Sequence, residues 1–103
     1  MRFLVITKAN TPIPPQAGIA LFDAMLAWVD ANQKSGKMEQ TWSFAGIQGG
    51  GGILNVDSLE ELDAIMIQMP FAPFSSVEVL GLVDVKDSLA IGKKVISQMM
   101  QGA

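Results

Sequence analysis

Four residues have side chains that could carry or assist a proton transfer on a small molecule: Glu78, Lys8, Trp42 and Gln40. Glu78 lies within the apolar run 76–85, where loss of water would suit a carboxyl group to proton transfer, although a paired or edge-facing carboxylate is the more common case. Lys8 could stabilise a developing oxyanion, or could be a surface lysine. The indole N–H of Trp42 could donate to a ligand oxygen, with Gln40 assisting. Glu78 is therefore the candidate catalytic residue, and the other three are candidates for substrate binding.

The composition excludes several other kinds of chemistry. The 103-residue sequence contains no His, no Cys and no Tyr, so zinc sites, Ser-His-Asp triads and thiol nucleophiles cannot be built in their usual form. Any metal would need carboxylates alone. A formal charge of −3 disfavours nucleic acid as a partner. No apolar run approaches about 18 residues, so we expect no membrane span and a cytoplasmic location.

The hydrophobic pattern predicts a strand, a helix, two strands, a second helix, a fourth strand and a terminal helix. Glycines 49–52 lie between two strand-like runs and predict a hairpin loop, because no Gly-Lys-Ser/Thr sequence follows to make a phosphate loop. Alternation places Met38, Gln40 and Trp42 on one strand face. The predicted strands cover residues 2–8, 38–44, 53–56 and 76–85, and the predicted helices run from about 15 to 36, from 58 to 70 and from 87 or 88 to about 100.

This order predicts one α+β domain over residues 1–103, with an antiparallel ferredoxin-like β-α-β-β-α-β sheet, both helices on one face and an added C-terminal helix. The first and fourth strands are apolar on both sides. A solvated second face would therefore cost about 25 cal/mol per Å² of apolar surface. Half of the residues are hydrophobic, a generous supply for this length. We therefore predict a homo-oligomer, a dimer or larger, formed through the sheet.

From Trp42 onward, the chain resembles the muconolactone isomerase family within the wider group of dimeric α/β barrel proteins. The resemblance implies a ferredoxin-like subunit, a dimer or higher oligomer, and a pocket in each subunit where a small unsaturated lactone is isomerised by proton transfer without metal or cofactor. Its most telling part is the Gln-x-Pro-x-x-Pro-Phe stretch. The matching residues are Trp42, Ala45-Gly46, Ser58-x-Glu60, Leu62, Gln68-x-Pro70-x-x-Pro73-Phe74 and Glu78-Val79-x-Gly81-Leu82.

Two functional hypotheses follow. The first is a cofactor-free isomerase or cyclase-like enzyme that acts on a small apolar carbonyl or lactone compound, with Glu78 as acid–base group and with Trp42, Gln40 or Lys8 positioning oxygen atoms. The alternative is a non-catalytic dimer on the same scaffold that binds a ligand or a partner. The absence of His, Tyr and Cys favours this second hypothesis.

Overall fold

The structure, a computed structural model, describes residues 1–102. It confirms the predicted α+β class, with an antiparallel sheet and two helices between its strands. A short 3-10 turn over Ala72–Phe74 precedes the last strand. The strands are β1 (Arg2–Ala9), β2 (Met38–Ser43), β3 (Gly49–Asn55) and β4 (Ser75–Leu82), and the helices are α1 (Pro15–Lys34), α2 (Leu59–Ile67) and α3 (Val85–Gln101).

The helix starts follow from local side-chain chemistry. Pro15 opens α1, where its missing N–H costs nothing. Ser58 caps α2 by accepting a hydrogen bond from the backbone N–H of Glu61 at 3.1 Å. Asp84 caps α3 by accepting from two backbone N–H groups, 2.9 and 3.2 Å away. The terminal helix therefore begins earlier than predicted, and Val85 is its first residue rather than the end of a strand.

The four strands lie in the order β2-β3-β1-β4, and every neighbouring pair is antiparallel. The glycines predicted as a hairpin loop are instead the first four residues of β3, a central strand. Their backbone N–H and C=O groups pair on both sides, which requires no side chain. An added Cβ would lie 2.2 Å from the Thr7 carbonyl oxygen at Gly49 and 2.5 Å from the Trp42 carbonyl oxygen at Gly50. Close approach of the neighbouring strands therefore explains glycine here.

Alternation along the strands gives the sheet two faces. Val5 packs in the core with α2, so the face that contains Phe3, Val5 and Thr7 is the helix face, and the opposite one is the outer face. In β2 the register shifts between Met38 and Gln40, which inserts one extra residue. Met38 consequently lies on the helix face, opposite Leu54. The prediction that it shares a face with Gln40 and Trp42 is wrong because alternation cannot reveal a bulge.

The core lies between the helix face and α2, with Trp28 and Val29 of α1 at its margin. The Trp28 indole N–H donates to the Ile65 carbonyl oxygen at 3.1 Å, which ties α1 to α2. The core consists of the buried residues Val5, Met38, Leu54, Val56 and Leu62, packed against partly buried Phe3, Trp28, Val29, Ile65 and Met66.

Three apolar surfaces remain uncovered by the described part of the chain. On α1, Ile19, Phe22 and Leu26 are 82, 58 and 69% exposed, although their spacing predicts a core-facing stripe. The outer face exposes Trp42, Leu80 and Leu82, and α3 has no buried residue. Because α3 projects from the sheet, the radius of gyration is 18.0 Å, compared with about 13 Å for a compact chain of this length. Within residues 1–102, no helix is both long and apolar enough to cross a lipid bilayer.

Candidate functional site

A cavity of about 820 Å³ lies between α1 and the helix face of the sheet. Its floor is the glycine segment of β3. Gly50 and Gly52 stand opposite Thr7 and Val5, on the face where other strand residues would project side chains toward α1. Since glycine has no side chain, the space above β3 stays empty. The same feature that makes this segment resemble a loop in the sequence therefore creates the cavity.

The cavity walls are mainly aromatic side chains and methionines. Phe22 of α1 and Phe71, just after α2, meet edge to face with their ring centroids 5.1 Å apart. Met25 and Met66 are flexible and polarisable, so they can adjust to the outline of a ligand. This lining favours a flat, largely apolar molecule.

A few hydroxyl groups supply polarity within the cavity. Thr41 donates its hydroxyl proton to the Gly51 carbonyl oxygen at 2.9 Å, and Thr7 donates to the Gly50 carbonyl oxygen at 3.3 Å. Both hydroxyl oxygens keep lone pairs that can accept a hydrogen bond from a ligand. Ser43 also borders the cavity. Among the described residues, none that lines the cavity carries a side chain that ionises near neutral pH.

The four residues predicted as site residues are placed on the outer face. Trp42 stands opposite Gly51, and Gln40 stands opposite Ile53. Glu78 stands opposite Ile6, and Lys8 lies between Gly49 and Ser76. Of the four, only Trp42 also borders the cavity.

The outer face brings these residues together as two separate pairs. Glu78 and Lys8 are diagonal neighbours on adjacent strands, about 7–8 Å apart at the backbone. Gln40 and Trp42 are neighbours along β2. Glu78 and Trp42 share one row across the sheet, but they are three strands apart, which is about 14 Å. Glu78 and Trp42 therefore lie at opposite ends of this row, and a ligand that contacts both must lie between them, over β1 and β3.

Between the two pairs, the outer face is also bare. Gly49 and Gly51 project no side chain there, so we infer a shallow depression between Ile6 and Trp42, over the part of the glycine segment that the Trp42 ring does not cover. An added Cβ on Gly51 would lie 3.2 Å from the indole nitrogen of Trp42, so the indole leans over the glycine. We name this feature, bounded by Ile6, Trp42 and Lys8, the outer depression.

Glu39, the acidic residue of β2, forms an ion pair with Arg2. The Arg2 guanidinium donates to both carboxylate oxygens, at 2.6 and 3.0 Å, and these hydrogen bonds hold the pKa of Glu39 below its usual value. This pair links β1 to β2 across β3. Within residues 1–102, no group of three or more His, Cys, Asp or Glu side chains is placed to hold a metal ion.

Sequence reasoning missed the hydroxyl-bearing residues of the cavity. Thr7 and Thr41 each lie in a strand and carry no signal of their own, because strand threonines are common. The glycine run was the available signal. If the run is interpreted as a strand, its alternate glycines predict unfilled space on both faces of the sheet.

Comparisons with known proteins agree on one family. The sequence model of the muconolactone delta-isomerase family matches residues 1–88. A solved muconolactone isomerase structure is 26% identical, with a TM-score of 0.75, and the match covers 82% of this chain and 90% of that chain. The comparison with curated proteins finds no match.

A second solved structure is 5-chloro-2-hydroxyhydroquinone dehydrochlorinase from Burkholderia phenoliruptrix, in complex with 2,5-dihydroxybenzoquinone. It is 21% identical, with a TM-score of 0.68, and the match covers 84% of this chain and 98% of that chain. At this identity, the likeness supports the fold alone. The family match ends within the first turn of α3, so most of that helix lies beyond it.

Proposed function

The chain belongs to the muconolactone delta-isomerase family, and on this premise we propose that it is a cofactor-free isomerase or cyclase-like enzyme acting by proton transfer on a small apolar carbonyl or lactone compound. The observation that carries the proposal is the glycine strand, which leaves room for a small molecule beside it. On the helix face, the cavity of about 820 Å³ is within the usual range for small-molecule sites, roughly 300–1,000 Å³, and its aromatic walls with the Thr7 and Thr41 hydroxyls suit binding of a planar ring. On the outer face, Glu78 and Lys8 supply the ionisable groups that proton transfer needs.

The proposed reaction moves one proton and the electrons of one double bond. A base removes a proton from the carbon beside the carbonyl group, the electron pair passes to the carbonyl oxygen as an enolate, and reprotonation at another carbon gives the isomer. No oxidant or reductant is required. Such a reaction needs one group that changes its protonation state and one that stabilises the oxyanion.

We assign the acid–base role to Glu78 and stabilisation of the oxyanion to Lys8, with Trp42 and Gln40 positioning the ligand. These residues can act only on a ligand held against the outer face, and the outer depression offers space there. A second copy that covers this face would enclose the depression. We therefore include a homodimer, formed outer face to outer face, in the proposal, since Leu80 and Leu82 would otherwise leave an apolar sheet surface in water.

A second candidate function is non-catalytic binding of the same class of ligand. The observation that favours it is the absence of an ionisable side chain in the cavity lining among the described residues. The position of the ligand decides between the two functions. A ligand confined to the cavity is bound, whereas a ligand that reaches the outer depression meets Glu78 and Lys8.

The test is incorporation of solvent deuterium into muconolactone-like lactones, followed by NMR. Three proteins are compared: wild type, Glu78→Gln and Gly18→Leu. Gly18 lines the cavity, and a Cβ added there meets nothing within 4 Å, so leucine would fill the cavity without a backbone clash. Ala24→Leu, on an exposed part of α1, is the matched control.

We expect exchange with the wild type and the control, and its loss with Glu78→Gln. Exchange that survives Glu78→Gln but is lost with Gly18→Leu would refute the role of Glu78 and place the reaction in the cavity. Saturable lactone binding to the wild type without any exchange would refute the enzyme and support the binding protein.

A further inference from the structure

Helix α3 has an apolar stripe that no other described residue of its own chain covers. The stripe, named the α3 stripe, comprises residues that are 61–75% exposed together with Gly92 at its centre. Only residues 83 and 84 separate β4 from α3, and the helix projects away from the sheet to give a long dimension of 64 Å. The α3 stripe consists of Val85, Leu89, Gly92, Ile96, Met99 and Met100.

The charge of α3 is opposite to that of the rest of the chain. The helix carries three lysines and one aspartate, which give it a net charge of +2. The rest of the chain has a net charge of −5, so that the total is −3. Lys86 lies three residues before Leu89 and Lys93 lies four residues after it. Both lysines therefore border the same side of the α3 stripe. A surface that accepts this helix should therefore be apolar and bordered by acids.

Helix α1 carries such a surface at the mouth of the cavity. Ile19, Phe22 and Leu26 are the exposed residues described above, and Phe22 and Leu26 also line the cavity. We name these three residues the α1 stripe. Asp23 and Asp30 border it on one side, as the helical period of 3.6 residues requires.

The two stripes match in spacing, residue size and charge. Ile19-Phe22-Leu26 and Leu89-Gly92-Ile96 both follow the spacing i, i+3, i+7. Asp23 and Asp30 are seven residues apart, as are Lys86 and Lys93. When two such helices face each other antiparallel, their flanking residues fall on the same side. Asp23 then meets Lys93, and Asp30, which is paired with Lys34 of its own helix at 2.9 Å, lies beside Lys86.

Gly92 gives an independent reason to expect a close neighbour. Glycine within a helix is less favourable than alanine, and nothing lies within 4 Å of a Cβ added at this position. Its own chain therefore does not explain it. In the antiparallel register above, Phe22 of the facing helix lies two residues, about 3 Å along the axis, from Gly92, so that a large side chain reaches a notch.

We infer that α3 of one copy packs antiparallel on α1 of a second copy, with Phe22 against Gly92, and closes the mouth of that copy's cavity. A two-fold arrangement makes the contact twice, once in each direction. Helix α3 has 17 residues and is about 25 Å long, enough to cover the α1 stripe from end to end. The inference does not depend on the catalytic role of Glu78 or on contact between outer faces.

Cysteine cross-linking in the full chain tests the contact directly, because the sequence has no cysteine of its own. Asp23→Cys is made in a chain that carries a tag, Lys93→Cys is made in an untagged chain, and the two proteins are mixed and oxidised. We expect a mixed disulfide in clear excess over either homodisulfide. Tagged Ala24→Cys, one residue away on the other side of α1, is the control. Equal yields from Asp23→Cys and Ala24→Cys would overturn the inference.

Gly92→Ala gives a second test, because an undocked α3 should tolerate the change whereas a docked α3 should not. Alanine raises the helical content of α3, so a helix exposed to water would tolerate or benefit from it. In the docked arrangement the new methyl group occupies the space of Phe22, and we expect self-association to weaken about tenfold in sedimentation experiments. Ser97→Ala, on the polar side of α3, should leave association unchanged.

Three results would refute the proposal: unaltered or tighter association of Gly92→Ala, a monomeric wild-type protein, and binding of α3 to vesicles of equal parts phosphatidylcholine and phosphatidylglycerol without self-association. Leu80→Arg distinguishes this contact from the outer-face dimer, since it should leave the mixed disulfide intact.

Discussion

Substitution of Gly50 by alanine should destabilise the protein, although alanine usually stabilises a chain relative to glycine. A Cβ at Gly50 would lie 2.5 Å from the Trp42 carbonyl oxygen, and the atom that must move belongs to the backbone of a paired strand. Overpacking of this kind costs about 1–3 kcal/mol. The lower conformational entropy of the unfolded chain offsets about 0.4–1 kcal/mol. The midpoints of these two ranges give a net loss of about 1.3 kcal/mol.

Gly81→Ala is the matched control in β4. A Cβ at Gly81 meets only the ring of Phe3, at 3.7 Å, which is an ordinary contact. This variant should be as stable as the wild type or slightly more stable. The assay is urea denaturation followed by circular dichroism, with midpoints compared at equal slopes so that the difference reports stability. If Gly50→Ala were as stable as Gly81→Ala, the glycine segment would not be a tightly paired central strand, and the account of the cavity floor would fail.

Three further predictions concern the outer face, an ion pair and a helix cap. Leu80→Arg should weaken self-association in sedimentation experiments while the chain stays folded by circular dichroism, because position 80 is already half exposed in the single subunit; self-association as tight as that of the wild type would contradict the proposed outer-face contact. Arg2 lowers the pKa of Glu39, so the pair contributes stability above the unfolded pKa, about 4.3, which is lost as pH falls through the lower folded value. In Glu39→Gln, the fall in stability at low pH should therefore be smaller, as measured by urea midpoints across this pH range. An unchanged fall would show that the pair does not contribute to it. Ser58→Ala should lower the free energy of unfolding by about 1 kcal/mol through loss of the α2 cap, and no change in the urea midpoint would show that the cap is dispensable.

Local signals predicted most of the fold because most elements here are bounded by local chemistry. Pro15 starts α1 and Ser58 caps α2, and each acts within one turn of its own helix. The antiparallel order followed because few arrangements of these elements bury their apolar faces. Errors arose where pairing between distant strands decides the structure. A bulge at Glu39 and extended glycines in β3 are set by neighbouring strands, which the local pattern does not contain.

For the candidate residues, too, local sequence predicted some features and the order of distant strands decided others. Glu78 and Lys8 were predicted from their chemical type and placed by alternation, and the register brings them side by side. Their separation from Trp42 depends on strand order, because the sheet inserts β3 and β1 between β2 and β4. The cavity could not be predicted from side chains because its cause is their absence at Gly50 and Gly52.

The glycine strand links the site to assembly. A strand without side chains leaves space on both faces of one sheet, so the same four residues produce the cavity on the helix side and the outer depression on the other. Space beside a sheet is useful only when water is excluded from it, since apolar walls bind by burial and charges act strongly in a low dielectric. One chain encloses neither space fully: the α1 stripe is open at the cavity mouth, and the outer face is uncovered. The proposed contacts, α3 on α1 and sheet on sheet, each close one of these openings. A chain that binds its ligand only when assembled should therefore lose affinity on dilution to monomer, with no change in any residue that touches the ligand.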